Sequence, residues 1–108
     1  MSVTPTYRLA ADYDCHAVWL RRADGGLDNL APDELGLSAA LAGALQRWAD
    51  IYNGTLDRSD PMSSGFATDL EHEIFSRWGR SLATWLAAAL GEPVEYFDDA
   101  SQVHVIVD

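Results

Sequence analysis

Residues 68–91 read TDLEHEIFSRWGRSLATWLAAALG, and residues 92–107 continue EPVEYFDDASQVHVIV. The break between these two patterns decides the fold. In the first stretch Ile74, Phe75, Trp78, Leu82, Trp85, Leu86 and Ala89 recur at helical spacing, which predicts one amphipathic helix with an apolar stripe. Thr68 followed by Glu71 is a capping box, Gly91 ends the helix and Pro93 prevents its resumption. A helix of about 23 residues would be about 34 Å long. Gly79 sits in its middle, where glycine costs up to ~1 kcal/mol, so another element is expected to approach closely there. The second stretch changes period. Residues 94–98, VEYFD, and 102–107, QVHVIV, read as two strands joined through Asp99-Ala100-Ser101, a terminal hairpin.

Working back from there, Ser38 opens an earlier helix as N-cap. Leu41, Leu45, Trp48 and Tyr52 form its stripe, widened by Ala44 and Ile51. It is expected to end near Asn53-Gly54, with Gly54 as a left-handed cap. Residues 55–67 connect the helices, and Pro61 and Gly65 forbid regular structure across their middle. Residues 6–13, TYRLAADY, alternate as a half-buried strand, and residues 16–22, HAVWLRR, form a second strand, with the short Asp14-Cys15 junction closing a hairpin. Residues 23–37 read as a loop around Asp24-Gly25-Gly26 and Pro32. The expected order is therefore ββ–αα–ββ. At 108 residues this is a single α+β domain, two amphipathic helices packed on a small, mainly antiparallel sheet.

The charge balance removes whole classes of function. There are 12 Asp, 5 Glu, 7 Arg and no Lys, for a net charge of −10. Charge-driven nucleic-acid binding and docking on anionic lipid both need a positive footprint. Lysine chemistry is absent outright. Half of the net charge falls in residues 92–108, where Glu92, Glu95, Asp98, Asp99 and Asp108 are joined by no arginine. Those acids either guard an edge strand against pairing or form a surface for a basic partner. The most apolar run, Leu82–Gly91, is too short to span a bilayer. The first residues show no signal-peptide pattern, and Cys15 is alone; a cytoplasmic location is expected.

Catalytic chemistry finds little footing. Cys15 and His16 are adjacent and point to opposite faces of a strand, and no CxxC, HxxxH or HxH spacing occurs, so neither a metal site nor any cofactor is expected. Cys15 with His16, or Ser63 and Ser64 with His72, lack an orienting third group and a glycine-rich oxyanion loop. A pocket with two converging acids, or a His–carboxylate pair, would be needed to favour an enzyme. Trp48, Trp78 and Trp85 lie on the apolar stripes and are expected in the core. Trp19 shares a strand face with Arg21; if Val18 and Leu20 point inward, Trp19 is an exposed aromatic and a candidate interface anchor.

Between about Leu35 and Asp98 the chain carries Leu37-Ser38, Trp48, Tyr52, Thr55-Leu56, Asp60-Pro61, Ser64-Gly65-Phe66, Phe75, Gly79, Leu82-Ala83, Leu90-Gly91 and Tyr96. In this set it resembles small bacterial α+β proteins that include immunity proteins paired with secreted or contact-delivered toxins. The resemblance is one of scaffold, and it assigns no functional residue. It implies a non-catalytic inhibitor that occludes a basic toxin domain. Glu95, Asp98 and Asp99 would then face the toxin's cations, with Trp19 as anchor. The alternative is a structural or regulatory interaction module that self-associates as a homodimer, its acidity serving solubility.

Overall fold

Two capped helices and five short strands make up the computed structural model, which describes residues 4–108. In chain order the strands and helices are β1 (Tyr7–Leu9), β2 (Val18–Arg21), β3 (Leu27–Leu30), α1 (Ala39–Asn53), α2 (Asp69–Leu90), β4 (Val94–Asp98) and β5 (Val103–Val107). Single 3₁₀ turns at Pro32–Leu35 and Pro61–Ser63 precede each helix. The sheet order is β3-β2-β1-β4-β5.

The α+β class and the two helices agree with the expectation, and the sheet corrects it. Three strands precede the helices, so the order is βββ–αα–ββ. The sheet is mixed rather than mainly antiparallel, because its central pair, β1 and β4, is parallel. The flanking pairs β1–β2, β2–β3 and β4–β5 are antiparallel. The missed strand, Leu27-Asp28-Asn29-Leu30, carries two poor strand formers directly after a glycine turn. Cross-strand bonds hold it instead: Asn29 Nδ2 donates to the His16 carbonyl at 2.8 Å and the Val18 carbonyl at 3.3 Å. The first two strands are also shorter than their alternating pattern. The chain leaves the sheet after Leu9 and turns at Asp14, which is left-handed at φ 59.

Helix ends follow their local chemistry. The Ser38 hydroxyl accepts the Leu41 N–H at 3.2 Å and the Thr68 hydroxyl accepts the Glu71 N–H at 3.1 Å. Gly91 closes α2 in the left-handed conformation, φ 71, as expected. Gly54 does not: it stays right-handed at φ −66, and its N–H donates to the Asp50 carbonyl at 2.9 Å.

Both helices cover one sheet face. Leu9, Val18, Val94, Tyr96 and Val107 point into that core and meet Leu41, Leu45, Trp48, Phe75, Leu82 and Leu86. Gly79 is buried where α2 faces both α1 and the sheet. The approach expected of another element is made by two rings. A Cβ at Gly79 would lie 2.5 Å from Trp48 Cζ2 and would also collide with the Tyr96 hydroxyl. The missing side chain lets both rings reach the helix backbone. Trp48 Nε1 donates to the Phe75 carbonyl at 3.0 Å, and the Tyr96 hydroxyl donates to the Ser76 carbonyl at 2.6 Å. Trp48 also stacks on Phe75 with centroids 4.5 Å apart. Two tryptophans depart from the expected core placement. Trp78 is only partly buried, and Trp85 is exposed, as are Ile51 and Ile74, because these positions lie on the outer margin of the stripes.

Candidate partner-binding surfaces

The second sheet face carries no helix. Strand alternation and register assign it Leu27 and Asn29 from β3, Trp19 and Arg21 from β2, Arg8 from β1, Glu95 and Phe97 from β4, and His104 and Ile106 from β5. Val18 is fully buried on the opposite side, so Trp19 faces outward as the alternation required. Its indole Nε1 donates to the Ala10 carbonyl at 3.1 Å, which fixes the ring half-buried on this face. Arg8, Asp12, Trp19, Leu27, Phe97 and His104 line a shallow hollow of about 450 Å³.

Glu95 sits in the middle of this face with both oxygens engaged. Oε1 accepts from Arg8 Nη2 at 3.3 Å and lies 2.6 Å from His104 Nδ1; Oε2 accepts from Arg21 Nη2 at 2.8 Å. The carboxylate thus ties β1, β2 and β5 to β4. Arg8 keeps a buried Nε without a hydrogen-bond partner. Arg8, Arg21 and His104 were not among the residues singled out as contacts. Their outward position was visible in the alternation, but their convergence on Glu95 depends on the parallel β1–β4 register, which pairs Arg8 with Glu95.

Asp98 and Asp99 lie elsewhere, at the β4–β5 turn. Asp98 Oδ1 accepts the Ala100 N–H at 3.0 Å and the Ser101 N–H at 3.3 Å, so it organises the turn. Asp99 Oδ2 lies 2.7 Å from His72 Nε2 and docks the turn on the start of α2. His72 in turn stacks on Phe66 at 4.7 Å. Burial first, then the Asp99 charge, pushes the neighbouring Tyr52 hydroxyl well above the ordinary tyrosine range. The structure therefore brings Trp19 and Glu95 together on one face and leaves Asp98 and Asp99 at its end.

Two His–carboxylate pairs exist, His72–Asp99 and His104–Glu95, the feature that would favour an enzyme. Neither holds a serine, threonine or cysteine nucleophile among the hydrogen bonds of the described residues. Ser64 Oγ instead accepts the Asp57 N–H at 2.8 Å, away from His72. Burial, then Asp12 and Asp14, raises the Cys15 thiol above its usual range, the opposite of what activates a cysteine. Among the described residues no group of three or more His, Cys, Asp or Glu is placed to hold a metal ion. Among the described residues no helix is long and apolar enough to cross a membrane.

The helix layer offers a second surface. Ile51, Phe66, Glu71, Ile74, Phe75 and Trp78 line a groove of about 240 Å³ between the end of α1 and the first half of α2. Its walls are almost wholly apolar, and Leu70 and Trp85 extend the exposed apolar surface along α2.

Fold and surfaces define a small acidic α+β protein with one open hollow on the sheet face and another between the helices. The chain belongs to the Serratia CdiI immunity protein-like family, whose model matches residues 5–99. No curated protein matches it. The family match extends the expected scaffold resemblance from residues 35–98 to include the N-terminal strands.

Proposed function

We propose that the protein is an immunity-type inhibitor that binds a toxin domain with a basic surface and occludes it stoichiometrically. The observation that carries this reading is the family membership over residues 5–99. The net charge of −10 supports a basic partner, since a surplus of one sign speeds encounter with the other and suppresses wrong partners. The mechanism needs no bond to be made or broken: the inhibitor covers the groups with which the toxin holds its substrate. Trp19, half-buried on the open sheet face beside Phe97 and Leu27, is the proposed aromatic anchor. Glu95, Asp98 and Asp99 would contact the toxin's cations by exchanging internal partners for external ones.

Co-expression with the toxin domain encoded by the neighbouring gene tests the reading. The expected result is survival of cells that the domain alone arrests, a 1:1 complex on co-purification, and an association rate that falls steeply between low and physiological salt. Growth arrest that is the same with and without this chain, together with no co-purification, refutes it.

A further inference from the structure

We infer that the outer edge of β5 pairs antiparallel with the β5 of a second copy of the chain, so that two five-stranded sheets join into one about a two-fold axis. The inference stands apart from the inhibitor reading, since edge pairing leaves the Trp19 face and the helix groove open. β5 is an end strand of the sheet and pairs only with β4. The N–H and C=O groups along its other side have no protein partner among the hydrogen bonds of the described residues. Such an edge is a template for another strand unless a charge, a proline or a bulge blunts it. Val103–Val107 holds no Asp, Glu, Lys, Arg or Pro, and its register with β4 runs without a bulge. Val103 is 50% exposed and Ile106 57%. The hairpin acids stand outside the strand and do not guard it. The other end strand is guarded: β3 carries Asp28, whose Oδ1 accepts from Arg22 Nη1 at 2.6 Å, and Pro32 follows just after its end.

Sequence and charge select a second copy over a foreign strand. Paired about Val105, the strand sets Val103 opposite the second copy's Val107 and His104 opposite its Ile106, so each exposed apolar side chain gains a neighbour on its own sheet face. Gln102 comes opposite the second copy's Asp108, and no carboxylate meets a carboxylate directly across the pair. The two ends of the edge also differ in unpaired charge. Glu92 and Asp108 stand at the Val94–Val107 end and have no ion-pair partner among the described residues. At the turn end Glu73, Arg77, Arg80, Asp98 and Ser101 line one hollow. Arg77 pairs with Glu73 at 2.6 Å, Asp98 accepts the Ala100 and Ser101 N–H groups, and Asp99 holds His72. Exposed Arg80 is left there as a cation without an ion-pair partner among the described residues. Antiparallel pairing brings the acidic end of each copy to the Arg80 end of the other, twice. A strand with basic flanks would instead set one of its cations beside Arg80. At long range two chains of net charge −10 repel. The edge, about 17 Å long, also buries less than the roughly 800 Å² per partner of a standard interface. The dimer is therefore weak, populated at high micromolar to millimolar concentration.

Sedimentation equilibrium at physiological salt, with NMR of the labelled protein over the same concentrations, tests the pairing. The wild type should show a reversible monomer–dimer equilibrium, with concentration-dependent amide shifts on residues 103–107. Ile106→Lys and, independently, Val103→Lys put a guarding cation into the exposed edge, and each should weaken the dimer at least tenfold. Leu70→Lys makes the same charge change on the outer side of α2 and should leave the dimer unchanged. Arg80→Glu should weaken it several-fold more than Arg47→Glu, which alters the net charge equally from an exposed site on α1. A wild type that stays monomeric at millimolar concentration overturns the inference and leaves the edge to a strand of another protein. So does a dimer retained by the folded edge variants, or one whose shifts fall on the helix groove or the Trp19 face. Equal weakening by the two arginine variants overturns the antiparallel arrangement.

Discussion

Replacing Gly79 by Ala should destabilise the protein although alanine is the better helix former. Propensity alone favours the change by about 1 kcal/mol. Against it stands the new methyl group, 2.5 Å from Trp48 Cζ2 and in collision with the Tyr96 hydroxyl. Trp48 is 0% exposed and Tyr96 1%, so neither ring has free space into which to retreat. Overpacking of this kind costs about 1–3 kcal/mol. Displacing the rings also breaks the bonds to the Phe75 and Ser76 carbonyls, at about 1–3 kcal/mol for each donor left buried and unpaired. The net expectation is a loss of about 2–4 kcal/mol. Gly43 is the control. It lies inside α1, where a Cβ would meet only the flexible end of Arg47 at 3.3 Å. Gly43→Ala should therefore gain about 0.5–1 kcal/mol. Urea unfolding followed by tryptophan fluorescence and by circular dichroism gives both numbers. If Gly79→Ala is as stable as the wild type, the account of the notch between Trp48, Tyr96 and α2 is wrong.

Three other outcomes follow from the same geometry. Glu95→Gln should cost about 1–3 kcal/mol, discounted for the partial exposure of Arg8 and Arg21, and a midpoint unchanged in urea would remove the cluster as a fastener of the sheet. Burial, and behind it the Asp98 and Asp99 charges, pushes the Tyr96 hydroxyl above the tyrosine range, as burial does Tyr52. The folded state then retains two protons that the unfolded chain releases near pH 10, so stability should be intact below about pH 10 and fall as pH rises beyond it; a flat urea midpoint between pH 9 and 11.5 contradicts this. The raised Cys15 thiol should alkylate with iodoacetamide more slowly than free cysteine at pH 7.5, with its rate profile displaced to higher pH. Alkylation as fast as that of free cysteine would show that the thiol is not held up by burial and by Asp12 and Asp14.

The helices were legible because their signals are local. Ser38, Thr68 and Gly91 act within one turn of themselves, and the cost of Gly79 pointed to the approach that Trp48 and Tyr96 make. The sheet was legible only in part. β3 depends on side-chain bonds from Asn29 to a neighbouring strand, not on the propensity of Leu27–Leu30. The parallel β1–β4 pairing leaves no periodic trace at all. The hairpin acids were visible as a charge run, but their partners were not: Arg8 and Arg21 lie 87 and 74 residues from Glu95. Ile74 and Trp85 share the helical period of the core positions, and only the width of the sheet beneath α2 decides which of them it covers.

The β1–β4 pairing also sets the order in which the molecule can be completed. The β1–β2–β3 meander and the β4–β5 hairpin are each local in sequence. The centre of the sheet joins Tyr7–Leu9 to Val94–Tyr96 across nearly the whole chain. Contacts of such separation form late, after the entropy of the long loop has been lost. During synthesis, the meander and both helices must therefore wait with an unpaired strand edge until residues 94–98 have left the ribosome. The sheet has no finished N-terminal half, and a chain stalled before β4 would expose β1 to any other strand in reach.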